Sequence, residues 1–349
     1  MKEEFLFEHV QGGLAVSLIG DALGSATEAL SPDEIQQVFG GKVTTFQPPP
    51  EGTPAAKSGR AVGQLTDDTT EMLEMVEAMI DSGGQLKIEE VVKHLLKWAE
   101  NEVLFDSFAG PSTRKAIKRL REGDDPHKTG LPPRKYWPET GLTDGAAMKV
   151  APAGLAHPGD LDAAIQDAVT MSIPTHHTDV AFAGAAATAA AIAQALVPGT
   201  TPLAVADAAI YGAQQGYEIG KEDDCVVYRA SIVDRIRLAL RLVAGEPDFD
   251  QACLALANTI GCGLPIIEAV PTGIGIFVAA RGDPNLAVIG AANIGGDADT
   301  VGAITGGIAG AYAGIEAVDE DLYGKMVEAN DLDIEDITRR LVAVIDTGV

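Results

Sequence analysis

Residues 295–314 read Gly-Gly-Asp-Ala-Asp-Thr-Val-Gly-Ala-Ile-Thr-Gly-Gly-Ile-Ala-Gly-Ala-Tyr-Ala-Gly. The stretch opens with Asp297, Asp299 and Thr300, two carboxylates and a hydroxyl within four residues, and continues as an apolar, small-residue helix. In that helix Gly302, Gly306, Gly310 and Gly314 recur at every fourth position, which puts them on one face. A glycine inside a helix costs roughly 1 kcal/mol against alanine. Four on one face therefore predict a packing purpose, a bare stripe that lets a second helix come close. This reading points to a helical protein.

Far upstream, Thr66-Asp67-Asp68-Thr69 repeats the acidic arrangement and again opens an apolar helix, with Met72, Leu73, Val76, Met79 and Ile80 on one face. Ser, Thr and Asp at a helix start are ordinary caps, and carboxylates there favour the helix dipole. A cap needs one side chain, however, and further carboxylates repel each other without a counter-ion. Hard divalent cations take several oxygen ligands, and Mg²⁺ draws only part of its shell from protein. Two facing clusters, Thr66, Asp67 and Asp68 with Asp297, Asp299 and Thr300, suit a pair of such ions. The pairing requires Asp67 or Asp68 to approach Asp297 and Asp299 within ~10 Å, because each ligand bond spans only about 2–2.5 Å.

Acidic residues outnumber basic ones 51 to 25, for a formal charge of −26. Such a field repels polyanions and disfavours nucleic-acid partners. Aromatics make up only 5 % of the chain, so Ala, Val, Ile and Leu must build the core. Cys225, Cys253 and Cys262 form neither a disulfide framework nor a close pair, and the first ten residues lack the apolar core of a signal peptide. Both features indicate a cytoplasmic protein. Val180 to Val197 is uncharged but rich in Ala and Gly, without a basic flank, and reads as a buried helix rather than a membrane span. The composition carries no signal for a particular oligomeric state.

Helical periodicity also marks Ile88–Trp98, Ser112–Leu120, Leu161–Met171, Ala204–Gly216, Ser231–Val243, Phe249–Ile260 and Ile334–Ile345. Strand evidence is poor, with only short β-tolerant runs such as Gly273–Val278. Two Pro/Gly-rich stretches, Gln47–Gly63 and Glu122–Gly145, are long for connections and read as functional loops. Neither reads as a domain linker, because the two acidic clusters lie far apart in sequence and must meet. Residues 1–349 are read as one domain.

Six blocks in chain order resemble the ADP-ribosylglycohydrolases, the group of the dinitrogenase-reductase-activating glycohydrolase and the ADP-ribosylhydrolases. They are Gly20–Gly24 with Glu28, Leu65–Thr69, Gly110–Arg114, Asp144–Pro152, Thr175-His176 with Gly184, and Gly295–Gly302. The resemblance implies an all-α, single-domain orthogonal helical bundle with two Mg²⁺ ions, or Mn²⁺, in a cleft. It implies hydrolysis of the C1 glycosidic bond of an ADP-ribosyl group, with a small-molecule or ADP-ribosylated substrate as partner and no membrane or nucleic acid. Thr66, Asp67, Asp68, Asp297, Asp299 and Thr300 match the metal ligands. Glu28, with Asp68 and Asp297, would be catalytic, and Asp21 would fix the Gly-rich turn. Asp144, Gly145, Ala146 and Met148 match a loop that presents backbone N–H groups to a diphosphate, His176 matches a substrate-contacting histidine, and Tyr136 or Trp137 is placed to stack on adenine.

Two departures bear on the substrate. The loop block of the resembled family usually begins with Asn and ends in Met-Arg, whereas this chain has Asp144 and Lys149. Members acting on arginine-linked ADP-ribose carry an Asp shortly before the Gly-x-x-Thr-Arg block; Phe108 stands at that count, with Asp106 two residues away. A carboxylate beside a phosphate disfavours binding, so ADP-ribose is expected to bind weakly and Asp144→Asn to tighten it. A small nucleoside-like substrate for an N-ribosyl hydrolase, or a non-catalytic binding or structural role, are the alternatives.

Overall fold

The computed structural model describes residues 3–133, 138–223 and 225–345, the side chain of Pro54 excepted. The described residues are all-α: helices account for the regular structure, and the only β pairing is an isolated antiparallel bridge between Thr143 and Pro265. Six helices position the cleft. They are α1 (Glu3–Gly24), α2 (Asp67–Asp81), α3 (Pro111–Arg121), α4 (Asp179–Ala195), α5 (Ile266–Ala279) and α6 (Ala298–Ala313).

The glycine stripe of α6 packs on α1, which carries a complementary stripe of Gly12, Val16, Gly20 and Gly24 at the same spacing. A Cβ added to Gly302 would lie 2.4 Å from the Gly20 carbonyl oxygen, and one on Gly20 would lie 2.1 Å from that of Gly302. Gly306 faces the Val16 carbonyl at 2.2 Å and Gly310 that of Gly12 at 2.0 Å, measured the same way. The two backbones therefore touch directly. The Ser17 hydroxyl fixes the register by donating to the Ala303 carbonyl at 3.0 Å. Gly314, expected as a fourth helical member, instead ends the helix with a φ of 78°, a conformation that costs glycine little.

The periodic segments are helices where the sequence places them. Ile88–Trp98 has the bounds read from its period, and Met72–Ile80 lies inside α2. Helix α4 is buried along almost its whole length, and no described helix is long and apolar enough to cross a membrane. Gly273–Val278, β-tolerant by residue type, lies within α5 despite Pro271 in the same helix. The periodicity did not mark α1 or α5 because both are apolar on nearly every side, and a helix buried all round shows no polar stripe.

Gly302→Ala is expected to destabilise the fold by about 2–3 kcal/mol, since the added methyl meets backbone that cannot turn aside. Gly324→Ala, inside a helix with nothing within 4 Å of the new Cβ, should be neutral or stabilising by up to about 1 kcal/mol. Urea denaturation of the two variants checks the contrast.

Candidate metal centre

The first acidic cluster is organised by a residue outside it. Asp21, buried on α1, accepts from the Thr66 and Thr69 backbone N–H groups at 3.1 and 3.3 Å. It also takes the Thr66 hydroxyl at 2.9 Å and the Thr69 hydroxyl. Thr66 itself caps α2 by accepting from the Asp68 N–H at 3.3 Å. Asp21 and Thr66 thus satisfy the helix start between them, and Asp67 and Asp68 are free to face the cleft. The Thr66 oxygen retains one lone pair.

The second cluster meets the first across 232 residues of sequence: the Thr300 hydroxyl lies 3.0 Å from both Asp68 oxygens. Ligand-capable oxygens of Asp21, Asp68 and Asp299 lie within 4.8 Å of one another, and so do those of Glu28, Asp297 and Asp299. Asp299 belongs to both sets, so the two are adjacent. The loop leading to Glu28 is held to the second cluster through its backbone. Ala29 N–H donates to Gly296 O at 2.7 Å and Gly296 N–H to Leu30 O at 3.0 Å, with Gly295 and Gly296 both at positive φ.

Burial pushes the carboxyls of Asp67, Asp68 and Asp299 well above their ordinary range, and the neighbouring acids push the same way. Glu28 is pushed up to about 8, first by burial and then by Asp297 and Asp21. Among the described residues no Lys, Arg or His forms an ion pair with any of these groups or with Asp297. Arg60, whose charge reaches Asp21 and Asp67, instead stacks on Phe108 at 5.2 Å. Buried oxygens of Glu28, Asp144 and Asp297 have no hydrogen-bond partner. An all-oxygen, anionic donor set with orphaned acceptors fits hard divalent cations such as Mg²⁺ or Mn²⁺.

Elsewhere in the same core, buried charge is neutralised. Glu71 pairs with the Lys149 ammonium at 3.1 Å, both side chains fully buried. Lys149 also donates to the Thr175 hydroxyl at 3.0 Å, so its charge is spent inside the protein and does not wait for a phosphate. His176 shares Nδ1 with Thr175 and Nε2 with Thr143, each at 2.8 Å. Burial, with Lys149 nearby, keeps its ring neutral.

The cleft has a volume of about 290 Å³. Glu28, Asp67, Asp68, Asp297, Asp299 and Thr300 line one side, and Asp144, Gly145 and Met148 also reach it. Ala146 and His176 were expected to contact substrate, but both lie behind the loop. Ala146 is packed in the core, and His176 supports Thr143 and sits under Gly145. Tyr136 and Trp137 lie outside the described residues. Asp144 does not stand at the mouth of the loop. It is 2 % exposed, and its carboxyl meets that of Asp297. Asp106 is paired with Arg114 at 4.0 Å and is exposed, whereas Phe108 lines the cleft. Leu264, which also lines the cleft, escaped sequence reading because a lone Leu in a Gly/Pro loop carries no period.

The fold and the cleft define a class, all-helical proteins built around a carboxylate-lined cleft. The chain belongs to the ADP-ribosylglycohydrolase family, whose model matches residues 2–348. It is similar to the uncharacterized protein YegU of Escherichia coli (strain K12), at 32 % identity over 93 % of this chain and 94 % of the relative. The ADP-ribosyl-[dinitrogen reductase] glycohydrolase of Rhodospirillum rubrum is 27 % identical over 95 % and 92 %, and the human ADP-ribosylhydrolase ARH3 25 % over 89 % and 86 %. A solved structure described as an ADP-ribosylglycohydrolase-related protein complex shares the fold, with a TM-score of 0.68 at 21 % identity over 98 % of both chains.

The raised carboxyl pKa values imply a stability that depends on pH in an unusual direction. A carboxyl whose folded pKa lies above its unfolded value favours the folded state below the unfolded pKa, and that contribution is lost as pH rises through the folded pKa. For Glu28 the window runs from 4.5 to about 8. The metal-free protein is therefore expected to melt at progressively lower temperature from pH 5 to pH 8. The gain in melting temperature on adding Mg²⁺ should grow over the same interval. Thermal scans with chelator and with Mg²⁺ measure both, and an Mg²⁺ gain independent of pH contradicts the reading.

Proposed function

We propose that the chain is a Mg²⁺-dependent glycohydrolase that cleaves the C1 glycosidic bond of an ADP-ribosylated substrate, with Mn²⁺ as a possible substitute. In this reading residues 1–349 act as one domain in the reducing cytoplasm, which suits the thiols of Cys253 and Cys262. The observation that carries it is the pair of carboxylate triads sharing Asp299, with orphaned oxygens and, among the described residues, no ion pair to a Lys, Arg or His. Family membership and the printed activities of the Rhodospirillum and human relatives support the reaction type.

Asp67, Asp68, Asp297, Asp299 and Thr300, with Thr66 behind them, would hold two cations. When bound, these ions supply Lewis acidity toward the ribose hydroxyls and the attacking water. Asp68 and Asp297 place negative charge beside the anomeric carbon, where positive charge develops as the bond to the leaving group lengthens. Thr300 keeps both Asp68 oxygens in place. Glu28, with Oε2 unpaired at the cleft wall, accepts the proton of the attacking water. Gly145 and Met148 bound the space beside the ribose.

A second reading, an N-ribosyl hydrolase for a small nucleoside, is favoured by two observations. The charge of Lys149 is consumed by Glu71, and the cleft is at the small end of the usual range of roughly 300–1,000 Å³ for ligand sites. A non-catalytic role has no use for unpaired buried carboxyls, which only destabilise the fold.

The substitutions Asp68→Ala and Asp297→Ala are expected to leave a folded protein, by circular dichroism, and to reduce turnover at saturating Mg²⁺ at least about 100-fold. The assay pairs wild type with ADP-ribosyl-arginine, O-linked ADP-ribose and a panel of ribonucleosides. Activity of either variant within a factor of two of wild type defeats the metal-centred mechanism. Turnover of ribonucleosides alone selects the second reading.

A further inference from the structure

Asp144 begins a short 3₁₀ turn, Asp144–Ala146, whose backbone is tied down on both sides. Its N–H donates to the Leu264 carbonyl at 2.9 Å, and its own carbonyl accepts from Ala147 and Met148 at 2.6 and 3.0 Å. Thr143 is bridged to Pro265 and bonded to His176. From this turn the Asp144 side chain, 2 % exposed, lines the cleft together with Asp297 and Asp299 of the second acidic cluster.

There its carboxyl contacts the Asp297 carboxyl. Asp144 Oδ2 and Asp297 Oδ2 are both buried without a hydrogen-bond partner, and no described Lys, Arg or His forms an ion pair with either residue. Both residues line the cleft, and a buried carboxyl oxygen without a partner is costly unless a donor or a cation reaches it. A substrate phosphate would add to that cost, whereas a divalent cation would satisfy both orphaned oxygens at once. The position also suits ligation chemically, because carboxylate count raises the affinity of an oxygen site for a hard cation.

We propose that Asp144 is a direct oxygen ligand of the divalent-cation centre, adding a carboxylate from the Gly-rich turn to those of the two acidic clusters. The residue read from sequence as a substrate contact is thereby reassigned to the metal. The inference rests on the metal-centre reading given above, and extends it to a residue on a separate element. It also reverses an expectation: Asp144→Asn, rather than improving the site, weakens it.

Titration calorimetry of the purified full chain with Mg²⁺ and with Mn²⁺ tests this directly. Asp144→Ala is expected to lower cation affinity at least tenfold, and Asp144→Asn, which keeps one oxygen donor in an isosteric side chain, to lower it less. Both variants should be folded when metal-free, with melting temperatures equal to or above wild type, since a repelling carboxyl is gone. A nearby charge that is not a ligand would also weaken binding, so a second measurement separates the two. With Tb³⁺ as probe, luminescence lifetimes in H₂O and D₂O count coordinated waters, and Asp144→Ala should add one. Affinity within twofold of wild type, or a loss of affinity with an unchanged water count, overturns direct ligation. If wild type itself takes up no cation, the metal-centre reading falls together with this one; if wild type binds and the variants bind equally, only the Asp144 assignment falls.

Discussion

Direct backbone contact between α1 and α6 is the constraint on which the site depends. The two carboxylate triads draw on residues from the end of α1 and from the start of α6, and only side-chain-free surfaces bring those ends together. Gly24 illustrates the tolerance: a Cβ there would lie 2.3 Å from the Ala298 carbonyl oxygen, next to Asp297 of the second cluster. Any spacer between these helices would move Asp21 away from Asp299 and draw Glu28 off its hydrogen-bonded loop. Three mid-helix glycines cost about 3 kcal/mol in propensity, and the close approach they allow decides the geometry of the cleft.

A second principle is the division between charges that the fold neutralises and charges that it leaves open. Glu71 and Lys149 are as deeply buried as any ligand candidate, yet they pair and so rigidify the core behind the cleft. On the cleft side no described Lys, Arg or His forms an ion pair with the carboxylates. Buried, uncompensated carboxylates are among the costlier features a fold can carry, and here they gather on one wall. The rest of the molecule, a core rich in Ala, Val, Ile and Leu, holds that wall in shape.

The first acidic cluster shows how a helix start can be capped and still leave carboxylates facing a cleft. From sequence, a helix start rich in Thr and Asp is explained equally by the dipole and by a cation. In the fold the question has a local answer, because Asp21 reaches in from another helix to take four donors at the start of α2. The capping requirement is met from outside, and the residues that would otherwise serve it are released.

Much of this was legible in the chain. The four-residue glycine period of 295–314 and the paired acidic clusters are local signals, set by helix geometry and by the chemistry of oxygen donors. They sufficed for the helical class and for the candidate ligands Asp68, Asp297, Asp299 and Thr300, which the fold brings together. What the chain alone could not decide was direction. Lys149, His176 and Asp144 sit in or beside irregular turns, where no 3.6-residue period says which way a side chain points. Their orientations depend on contacts with Glu71, Thr175, Pro265 and Asp297, residues distant in sequence. Periodic segments declare their faces through repeated backbone angles, whereas a turn acquires its facing only when the helices around it have packed.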